Sequence, residues 1–136
     1  MGRKARLGSA GLKTIDGRKL IALRYKPKKG ADLSIVLYFD PQTFHHVMTV
    51  YSVIMASGLA VGENSEVRSA RMDPSRYRIE ERFSNFKAIG GLSLPSHYDL
   101  RFTRELSGYS SSEEWEVTVT RVMNNPDLDP KNFEMP

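Results

Sequence analysis

Apolar and polar residues alternate with a period of two along most of this 136-residue chain. That is the pattern of strands whose successive side chains point to opposite faces of a sheet. The most regular run sets Leu94, Ser96, Tyr98, Leu100 and Phe102 against Pro95, His97, Asp99, Arg101 and Thr103. Residues 113–123 do the same, with Trp115, Val117 and Val119 opposed to Glu114, Glu116, Thr118 and Thr120. A third run places Tyr77, Ile79 and Phe83 opposite Arg78, Glu80 and Arg82, and leaves Glu81 as the one carboxylate on its apolar side.

Upstream, Asp16-Gly17 lies between two strand-like runs, 12–15 and 19–25, and is a strong short-range hairpin signal. Pro27-Lys28-Lys29-Gly30 makes the next turn, and Leu33, Ile35, Leu37 and Phe39 share one face of a strand closed by Asp40-Pro41. In 44–55 both faces are apolar: His46, Met48, Val50 and Ile54 alternate with Val47, Tyr51, Val53 and Met55. This predicts a central strand covered on both sides. Gly90-Gly91 and the segment 107–112 supply the last two turns. The interval 56–75 has no sustained period and reads as a flap, with at most a short helical segment near 63–73.

Seven strand-like runs with short turns and no crossover helices predict a mainly β fold. The expected architecture is a curved antiparallel meander of about seven strands, an open or half barrel with an apolar concave side. The length fits one domain, 1–136, with residues 1–11 as a flexible basic lead-in.

Composition narrows the function classes. A chain 40% hydrophobic and 10% aromatic is not disordered, and no apolar run is long enough to cross a bilayer as a helix. The absence of cysteine excludes disulfides, thiolate metal sites and a thiol nucleophile. Net charge +4 hides an asymmetry: residues 1–29 hold ten of the twenty Lys and Arg against one acid, Asp16, while the rest of the chain is net acidic. Such a block can steer toward phosphate-bearing partners or an anionic membrane surface. It can equally be a solvated face, or pair with the acidic remainder of the fold. No secretory signal is visible, so the chain is either cytoplasmic or a mature piece whose leader has been removed.

Candidate chemistry is sparse. His45 and His46 are adjacent on a strand and diverge, and His97 lies on the polar side of its own run, so no metal site is expected. Glu81 on an apolar side calls for a basic partner, and a structural ion pair with an inward-reaching arginine is the expectation. There is no phosphate-cradling glycine loop, nucleophile elbow or nucleotide fingerprint, so neither an enzyme nor a cofactor is expected. Arg24-Tyr25-Lys26 interleaves charge and an aromatic ring as single-stranded nucleic-acid binders do, a weak signal that makes nucleic acid an unlikely partner.

Three local patterns carry a family resemblance. The strand-turn 37–44, Leu-Tyr-Phe-Asp-Pro-Gln-Thr-Phe, the hairpin entry 91–95, Gly-Leu-Ser-Leu-Pro, and the tail 124–133, Asn-Asn-Pro-Asp-Leu-Asp-Pro-Lys-Asn-Phe, occur in this order. Together they resemble the carboxy-terminal part of the periplasmic carriers that move outer-membrane lipoproteins, and of the wider lipoprotein-sorting-like superfamily. The resemblance implies an unclosed β-barrel whose concave side accepts acyl chains of a lipid or lipoprotein, and a periplasmic or cell-envelope location.

The alternation supplies the ligand face that such a protein needs: Ile35, Leu37, Tyr77, Ile79, Phe83, Tyr98, Leu100, Phe102, Trp115, Val117 and Val119. Arg18, Lys19, Arg24 and Lys26 are the candidates for anionic headgroups. The function expected is therefore non-enzymatic binding or carriage of a lipid acyl chain or lipoprotein. The alternatives are a self-associating module whose apolar face is a homodimer interface, and a nucleic-acid-binding module using residues 1–29.

Overall fold

The computed structural model describes residues 5–27, 32–55 and 74–134. Seven strands follow in chain order: β1 (Arg6–Ile15), β2 (Arg18–Lys26), β3 (Leu33–Phe39), β4 (His46–Met55), β5 (Ser75–Ile89), β6 (Leu92–Leu106) and β7 (Tyr109–Thr118). They form one antiparallel sheet in the order β1-β2-β3-β4-β5-β6-β7, a meander that does not close. Pro130–Phe133 adds a single 3-10 turn, capped by the Asp129 side chain, which accepts from the Lys131 N–H at 3.0 Å.

The turn chemistry read from the sequence sets the register. Asp16 and Gly17 both take positive φ, 48° and 78°, as do Gly90 and Gly91, 58° and 82°. Two-residue turns of this handedness match the twist of the strands they join. Between β3 and β4, the Asp40 carboxylate accepts from the N–H groups of Gln42 and Thr43 at 2.9 and 3.0 Å, and from Arg18 at 3.0 Å. The Thr43 and Gln42 hydrogen bonds hold its pKa below the ordinary value.

Cross-strand pairing assigns each side chain to a face. One row runs Ala22, Tyr38, Met48, Arg82, Asp99, Glu116, and the next runs Arg24, Val36, Val50, Glu80, Arg101, Glu114. This mixed face is largely apolar in β3 and β4, carries Arg18, Arg24 and Lys26 beside Leu20 and Ala22 in β2, and is charged in β5–β7. The apolar face is built from the intervening rows, such as Tyr25, Ile35, Tyr51, Ile79, Phe102.

The core is small and lies on the mixed face. Leu20, Ala22, Met48 and Val50 are the buried hydrophobic residues among those described, and all four belong to that face. The sheet also bends that way. Asp16, in the β1–β2 turn, reaches Arg82 of β5 across the intervening strands, and His45 stacks on Phe86 while hydrogen-bonding Ser93 of β6 at 2.9 Å.

Two expectations change. The lead-in expected over 1–11 is strand from Arg6 onward, because the hairpin carries β1 through a bulge between Ser9 and Gly11 to pair as far as Lys26. The last strand ends at Thr118 rather than running to 123, and the one helical turn seen is at Pro130–Phe133. The segment near 63–73 lies outside the described residues.

Candidate functional site

Ten of the eleven residues expected to form a ligand face share the apolar face. Ile35 and Leu37 come from β3, Tyr77, Ile79 and Phe83 from β5, Tyr98, Leu100 and Phe102 from β6, Trp115 and Val117 from β7. Register brings them together in pairs: Ile79 with Phe102, Phe83 with Tyr98, Leu100 with Trp115, Tyr98 with Val117. Val119 follows the end of β7, where its N–H donates to the Ser96 carbonyl at 2.8 Å.

The face is wet. Ile79, Trp115 and Val117 are 39%, 49% and 45% exposed, and the others are only half-buried. An aromatic chain runs across it: Phe39 to His46 at 5.1 Å, His46 to Phe83 at 4.9 Å, and Phe83 edge-on to Tyr98 at 5.3 Å. Such contacts rigidify the surface without removing it from water.

A few polar groups interrupt this surface. Thr49 is 1% exposed, and its hydroxyl lies 2.7 Å from His46 Nε2, which is also 3.1 Å from the Met48 carbonyl. Burial pushes the His46 pKa down, against the opposing pull of the Met48 carbonyl and the Glu81 charge. The Tyr51 hydroxyl donates to Glu81 at 3.3 Å, and burial followed by that charge pushes the Tyr51 pKa up. The arginine expected beside Glu81 is not there among the described residues. Alternation sends Arg82 to the opposite face, where it pairs with Glu80 at 2.7 Å and with Asp16.

Arg104 is the residue that sequence reasoning missed. It stands on the apolar face, opposite Tyr77 of β5 and Ser111 of β7. Its Nε is buried and has no hydrogen-bond acceptor. A buried donor left unmet costs about 1–3 kcal/mol. The signal was available: counting by two from Leu94 through Phe102 reaches Arg104 on the apolar side.

The expected headgroup residues are divided. Lys19 falls on the apolar face, while Arg18, Arg24 and Lys26 fall on the mixed face with Leu20 and Ala22. Arg18 is engaged by Asp40. Tyr25 is likewise turned away from Arg24 and Lys26, so this trio does not present a ring and two cations on one surface.

On the mixed face Arg78, Glu80, Arg82 and Asp16 form a continuous ionic row. Burial pushes the Glu80 carboxyl up, but hydrogen bonds from Arg78 and Arg82 and their charges outweigh it and hold its pKa below the ordinary value. Arg101 pairs with Glu114 at 2.7 Å, and His97 lies 3.3 and 3.5 Å from Asp99 and Glu116. Hollows of about 440, 280 and 190 Å³ are lined chiefly by residues of this face, the largest by Glu80, Arg82, Asp99, Arg101, Glu114 and Glu116 with Leu100 and Trp115. The hollows thus lie on the charged side rather than over the apolar one, and the Asp16–Arg82 ion pair places the β1–β2 corner over that same side.

Among the described residues no three His, Asp or Glu side chains converge as metal ligands, and no helix is long and apolar enough to cross a membrane. Comparison with known proteins adds no relative: no family model, no curated protein and no solved structure matches the chain.

Proposed function

We propose that this protein is a non-enzymatic module that binds the acyl chain of a lipid or lipoprotein on its apolar sheet face. The observation that carries the reading is the face itself: rows of Ile, Leu, Phe, Tyr, Trp and Val from four strands, half-exposed, beside a core of four buried hydrophobic residues among those described. At roughly 25 cal/mol per Å² of apolar surface, leaving a few hundred Å² in water forfeits several kcal/mol. That is comparable with the whole stability of a small domain. A hydrophobic guest recovers it. The likeness of the strand-turn, hairpin and tail patterns to the lipoprotein carriers points the same way, and with it goes a periplasmic or cell-envelope setting.

A second reading is favoured by one observation, that the hollows belong to the mixed face and the apolar face is a broad wall. A wall suits a second copy of the chain as well as it suits a lipid. Native mass spectrometry of gently purified protein separates them. Monomer carrying lipid that is released on denaturation is the expected result; a ligand-free dimer that survives dilution would replace the carrier with a self-associating module.

A further inference from the structure

We propose that Arg104 anchors the carboxylate of a long-chain fatty acid whose hydrocarbon tail lies along β6 on the apolar face; this rests on the acyl-binding reading above. Charge complementarity is the argument. The apolar register holds other charges, Lys19, Glu81 and Glu113, and Glu81 already accepts from the Tyr51 hydroxyl. Arg104 occupies the apolar register between Tyr77 and Ser111, follows Phe102 on the same face, and makes no ion pair among the described residues.

Arg6, Arg24 and Arg76 on the strands also make no ion pair among the described residues, but of the described arginines Arg104 alone has a buried Nε with no acceptor. Arg18, Arg78, Arg82 and Arg101 all hold carboxylates of this chain on the mixed face or at its edge. Arg104 holds none, and its buried Nε is a donor waiting for an acceptor. A guanidinium presents its donors as a planar fork that fits the two oxygens of a carboxylate. No metal or cofactor is needed.

Geometry gives the tail its path. Leu100 lies four residues along β6 from Arg104 and pairs with Trp115, so the tryptophan stands roughly 13 Å from the anchor at the rise of an antiparallel strand. Phe102 of β6 lies between them, with Ile79 of β5 on one side of it and Glu113 of β7 on the other. A twelve-carbon tail anchored at Arg104 passes over these side chains and reaches Trp115, the sole tryptophan.

The test titrates the full chain at pH 8, below micelle-forming concentrations, with dodecanoate, dodecanol and dodecyl phosphate, reading Trp115 emission. Wild-type protein is expected to bind dodecanoate roughly tenfold or more tighter than dodecanol, the scale of a hydrogen bond to a charged group. In Arg104→Gln that preference disappears, dodecanoate falling to the affinity of dodecanol. Equal wild-type affinity for acid and alcohol overturns the anchor and leaves the acyl-binding reading standing, as does a preference that survives Arg104→Gln. A stronger preference for dodecyl phosphate than for dodecanoate overturns the choice of carboxylate. Binding of none of the three, with the protein dimeric, overturns the acyl-binding reading itself. Because the acid-to-alcohol ratio is read first on wild-type protein, the anchor can fail even where the variant does not fold.

Discussion

The two halves of this sheet solve different problems. In β2–β4 apolar side chains occupy both faces, and the four hydrophobic residues that are buried among those described, Leu20, Ala22, Met48 and Val50, are found there. In β5–β7 the mixed face is ionic, while the apolar face carries Ile79, Trp115 and Val117 in contact with water. The first half holds the buried hydrophobic side chains. The second is held by strand pairing, ion pairs and half-buried ring contacts such as Phe83–Tyr98, and its exposed hydrophobic side chains add to stability only when something covers them. In a single-layer sheet, then, hydrophobicity in sequence does not equal burial in structure.

Truncation of one residue in each half breaks or sharpens this contrast. Met48→Ala removes a side chain that is 3% exposed and should cost about 2–5 kcal/mol. Trp115→Ala removes a larger but half-exposed side chain and should cost under about 1 kcal/mol in ligand-free protein. Urea unfolding of the two variants gives the comparison directly. Equal losses would mean that the β5–β7 half is covered in solution, as it would be in a dimer.

A smaller effect is expected from the ionic row that links the halves. Arg82→Ala leaves the Glu80 carboxylate, whose side chain is 10% exposed, with Arg78 alone, and frees Asp16 from the turn that bends over the mixed face. Loss of one partner from a mostly buried pair is costly, but Arg82 is itself 40% exposed, which reduces the effect to about 1–3 kcal/mol. Arg101→Ala, removing an exposed pair of the same length, should cost under about 1 kcal/mol. If the two variants unfold at the same urea concentration, the row between the halves is no more than surface charge.

The sequence made the strands and their faces legible because both are local. A period of two assigned Tyr98, Leu100 and Phe102 to one face, and Asp16-Gly17 and Gly90-Gly91 announced the turns that fix the register. What it concealed depends on contacts distant along the chain. The direction of bending shows in the contact of Asp16 with Arg82, 66 residues away, which no periodicity reveals. For the same reason the hollows could be assigned to the wrong side of the sheet. Basic residues are dense before residue 30, but density says nothing of facing; Arg104 is a single arginine in an apolar register, visible only when the alternation is followed past Phe102.

The smallest effect concerns pH and tests whether the apolar face of β4 is buried at His46. Burial holds the His46 imidazole below its ordinary pKa of about 6.5, so the folded protein prefers the neutral ring. Between the folded and unfolded values the unfolded chain binds more protons, and stability there rises with pH. The contribution is therefore complete above about pH 6.5 and is lost as pH falls through the lower, folded value. Glu80, whose pKa is also depressed, adds a second loss at more acid pH, below about 4.5, the ordinary carboxyl value. Urea midpoints measured across this range should decline in two stages, and His46→Gln should remove the first while leaving the second. A first stage that persists in the variant would mean that His46 is no more buried than a surface histidine, and that the aromatic chain from Phe39 through Phe83 to Tyr98 is looser than its ring distances indicate.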